Sequence, residues 1–60
     1  ASLEEAFAIG VEAEILNIAM YNAFLTQELP EDIEETFVKL RDASENHLAA
    51  FEKNLERITA

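Results

Sequence analysis

The single proline, Pro30, stands midway along a chain of sixty residues, and no other residue constrains the fold as much. Proline breaks a helix interior and pushes the residue before it, here Leu29, out of helical geometry. On either side the sequence is free of proline, and Gly10 is its only glycine. No window of useful length alternates apolar and polar residues at period two, so strands are not expected. The expected fold class is all-α, two helices meeting at one corner.

Local chemistry places the ends. Ser2-Leu3-Glu4-Glu5 has the form of a capping box, in which the Ser hydroxyl meets an amide three residues on and Glu5 reaches back to the cap. Helix one is expected over about 3–28. Helix two is expected over about 31–58, with Glu31, Asp32, Glu34 and Glu35 at its positive end and Lys53 and Arg57 near its negative end. The short Glu28-Leu29-Pro30 connection makes the two an antiparallel hairpin spanning 1–60 as one unit.

Thirteen acidic residues against four basic give a net charge of -9, which argues against nucleic acid or an anionic membrane surface as partner. Without cysteine there is no disulfide, thiolate metal site or iron–sulfur cluster. Half of the residues are apolar, too many for a disordered acidic tail. The longest charge-free stretch, Ile15 to Gln27, is too short and too polar to span a bilayer. Nothing resembles a targeting segment, so the chain reads as cytoplasmic; without an initial Met, it reads as a processed or excised piece.

A chain of this length buries only roughly 60% of its unfolded surface and is marginal alone. Helix two carries one stripe, Ile33, Phe37, Leu40, Ser44, His47, Phe51, Leu55 and Ile58, opposite a charged face. Helix one has a stripe through Leu3, Phe7, Gly10, Glu14, Asn17, Tyr21 and Phe24, but also Ile9, Val11, Ile15, Leu16, Ile18, Met20 and Leu25 beside it. A helix apolar around most of its circumference needs more than one neighbour. A four-helix bundle is the simplest closed solution, formed as a homodimer or with the other half of a longer parent chain.

The residues that interrupt these stripes carry the chemistry. Glu14, Asn17 and Tyr21 share one face of helix one, and Ser44 and His47 lie on the stripe of helix two. Glu14 is sixteen residues before Pro30 and His47 seventeen after it, so an antiparallel hairpin sets them at one level. Three readings stand side by side: a structural polar pair that fixes helix register, a metal site suited to Fe, Mn or Zn, or a rotated helix on which Glu14 is solvated. The four Phe residues read as core, Met20 as gap filler, the acidic run from Glu31 to Glu35 as a solvated helix start, and Gly10 as a point of close helix approach.

Glu14-x-x-Asn17-x-x-x-Tyr21 followed by Ser44-Glu45-Asn46-His47-Leu48 resembles one half of the ferritin-like, rubrerythrin-related bundle. The run from Ser2-Leu3-Glu4-Glu5-Ala6 through Asp32-Ile33 to Ala43–Phe51 is similar, over nearly the whole chain, to the C-terminal half of an uncharacterised prokaryotic ferritin-like family. The resemblance implies a carboxylate-bridged di-metal bundle, each half giving Glu from one helix and Glu-x-x-His from the next. Glu14 and His47 match as metal ligands, with Asn17, Tyr21 and Ser44 around them. Three residues before His47, however, stands Ser44 rather than Glu, and Glu45 projects about 200° away from His47. Di-metal oxygen or peroxide chemistry then needs a carboxylate from elsewhere. A symmetric dimer would instead gather two Glu14 and two His47 around one divalent ion, a closed sphere of the Zn type or a wider one for Fe or Mn.

Overall fold

The computed structural model describes residues 2–59 and consists of two α-helices, α1 (Leu3–Leu25) and α2 (Glu31–Thr59), with no strand among the described residues. They form an antiparallel hairpin 44 × 15 × 14 Å.

Ser2 has extended backbone (φ -99°, ψ 165°), and its Oγ accepts the Glu5 N–H at 3.1 Å. This satisfies one of the amides that a helix start leaves without an intrahelical partner. The reciprocal bond from Glu5 to the Ser2 amide, expected of a full capping box, is not among the bonds of the described residues.

At its far end α1 stops three residues before the expected position 28. The Thr26 hydroxyl donates to the Ala23 carbonyl at 2.7 Å, and the Gln27 amide to that of Phe24 at 3.1 Å, so the last turn tightens into i to i+3 bonds. Pro30 is already committed to α2, its carbonyl accepting the Glu34 amide at 2.9 Å, which leaves residues 26–29 to reverse the chain. α2 matches its expected span to within one residue.

The helices meet along two matched rows. Phe7, Val11, Glu14, Ile18, Tyr21 and Leu25 step by four and three along α1, and all are half-buried. Phe37, Arg41, Ser44, Leu48, Phe51 and Leu55 step the same way along α2. Such spacing is that of a coiled-coil seam. The seam differs from the stripes expected from sequence. On α2 the helix is rotated so that Arg41 and Leu48 enter the contact, while Ile33, Leu40 and Ile58 stay exposed. On α1 the contact takes in Val11, Ile18 and Leu25, and leaves Leu3, Asn17 and Phe24 exposed.

Aromatic contacts fix that rotation. Phe24 stacks on Phe37 (centroids 5.2 Å apart, planes at 19°), Tyr21 lies 6.1 Å from the same ring, and Phe7 meets Phe51 at 6.2 Å. The Phe51 ring also lies against Gly10, where a Cβ would fall 3.1 Å from it. The glycine thus allows the close approach that its lack of a side chain predicts.

Among the described residues no apolar side chain is fully buried, and Ser44, 6% exposed, is the sole buried residue. The accessible surface is 4543 Å², against about 3,900 Å² for a compact monomer of this mass. The radius of gyration, 13.9 Å, likewise exceeds the ~10.4 Å of a globule of this length.

Candidate metal centre

The seam brings the two predicted ligands together. His47 Nδ1 lies 3.3 Å from Glu14 Oε2. Glu14 projects from the middle of α1 into the seam and its side chain is only 13% exposed, whereas His47 stands at the seam's edge with 64% of its side chain exposed. Of the thirteen acidic residues, Glu14 alone is not exposed. The third possibility left open by the sequence, a solvated Glu14, does not match this placement.

Of the surrounding residues, Ser44 is buried in the seam one helical turn before His47, and Tyr21 is half-buried two turns beyond Glu14. Asn17 is exposed. None of the three makes a side-chain hydrogen bond to Glu14 or His47 among the described residues. Glu45 points away, its carboxylate 3.8 Å from Arg41 Nε.

The donor chemistry fits a borderline divalent ion in part. Glu14 Oε2 and His47 Nδ1 lie within ion-pair distance, and no hydrogen bond joins the two side chains among the described residues. One carboxylate and one imidazole suit Zn, Fe or Mn. No group of three or more His, Cys, Asp or Glu able to hold a metal occurs among the described residues. A single hairpin therefore offers two ligands where a structural site uses four.

Arg41 is a seam residue that the sequence stripes did not include. It follows Phe37 by about one turn on α2, and its guanidinium donates to Asn22 Oδ1 at 3.2 Å. Its Nε is buried with no hydrogen-bond partner, and the Asp42 and Glu45 carboxylates, at 3.7 and 3.8 Å, lie beyond hydrogen-bonding range. The four-three spacing from Phe37 to Ser44 was the signal available, because it passes through position 41.

A shallow concavity of about 350 Å³ is lined by Glu34, Glu35, Val38 and Lys39, all from the first turns of α2. It begins about 12 Å along the helix from His47 and shares no residue with the pair. No helix is long and apolar enough to cross a membrane among the described residues. Compared with family models, curated proteins and solved structures, the chain shows no significant match to any of them.

Proposed function

We propose that the hairpin is half of a metal-binding, ferritin-like four-helix bundle in which Glu14 and His47 supply the ligands to an ion in the bundle core. The observation that carries this reading is the meeting, at 3.3 Å, of the only histidine with the only carboxylate that is not exposed. Burying a carboxylate is costly unless it is paired, and thirteen acidic residues leave ample choice of exposed positions for negative charge. A second hairpin, from another copy or from a longer parent chain, would raise the ligand count from two to four. Two carboxylates would then balance a divalent Zn, Fe or Mn. Such an ion would cross-link the helices, and any open coordination position would give it Lewis-acid or redox chemistry.

A second reading is supported by the same contact: Glu14 and His47, 3.3 Å apart, would act without metal as a polar pin that sets the register of a non-catalytic assembly module. Di-metal oxygen or peroxide chemistry has less support. Ser44, buried where the resemblance calls for a bridging Glu, offers no carboxylate.

Elemental analysis of purified protein beside Glu14→Ala and His47→Ala separates the readings. The metal reading expects near-stoichiometric Zn, Fe or Mn that both substitutions abolish. Metal-free protein that either substitution merely destabilises would leave the pin.

A further inference from the structure

We draw no further inference here: the strongest candidate, the apolar face formed by the exposed Met20 and Phe24 of α1 and Leu40 and Ile58 of α2, carries nothing because nothing in the structure shows what covers it.

Discussion

Gly10 and Arg41 show how single residues set the terms of this seam. The ring of Phe51 occupies the space a side chain at Gly10 would need. Gly10→Ala gains about 1 kcal/mol of helix propensity and loses a similar amount as the ring shifts, so its stability should stay near that of the parent. Gly10→Val cannot be met by so small a shift and should lower stability by about 2 kcal/mol in urea denaturation; an unchanged midpoint would mean that the helices do not approach as described. Arg41 places a buried, unpartnered Nε in the seam. Leaving such a donor unmatched costs about 1–3 kcal/mol, and Arg41→Leu should therefore raise stability by about 1 kcal/mol, read as a higher urea midpoint at constant m; a loss would show that the Asn22 bond outweighs the burial. The pairing of Glu14 with His47 was legible in the sequence, because counting from Pro30 along two helices of equal rise puts them level. The place of Arg41 was not, since charge is the strongest sequence sign of an outward residue and here the seam's geometry overrides it. Asn17 misled in the other direction: it shares a helix face with Glu14 to within about 60°, and that angle is enough to take it out of the contact.

At the scale of the helices, type and number followed from Pro30 and from the absence of period-two alternation, but ends and rotation did not. The end of α1 is a competition between helical i to i+4 bonds and the need to reverse within a few residues before Pro30. Thr26 resolves it by bonding back to Ala23. The start of α1 has one side-chain cap, the bond from the Glu5 amide to Ser2 Oγ. Ser2→Ala should cost about 1 kcal/mol, seen first as faster hydrogen exchange at the opening amides of α1 and only then in global unfolding. Unchanged exchange there would show that water caps the helix equally well. Rotation of α2 was ambiguous for a physical reason. Two stripes of three-four spacing overlap on it, one through Phe37, Ser44 and Phe51 and one through Leu40, His47 and Ile58, and a hairpin can satisfy only one. The stacking of Phe24 on Phe37 and the Phe51–Gly10 contact select the first.

For the whole molecule, that choice is what leaves an apolar face open and sets the Glu14–His47 pair at its margin. With no fully buried apolar side chain among its described residues, the hairpin has its hydrophobic driving force largely unspent. Its function is accordingly argued from what completes it. Titration of Zn²⁺ into the purified chain, followed by calorimetry beside His47→Ala, decides whether two hairpins share one ion. Saturation at one ion for every two chains is expected, with binding lost in the variant. No uptake by the wild type, or equal uptake by His47→Ala, would contradict a metal centre built on this pair.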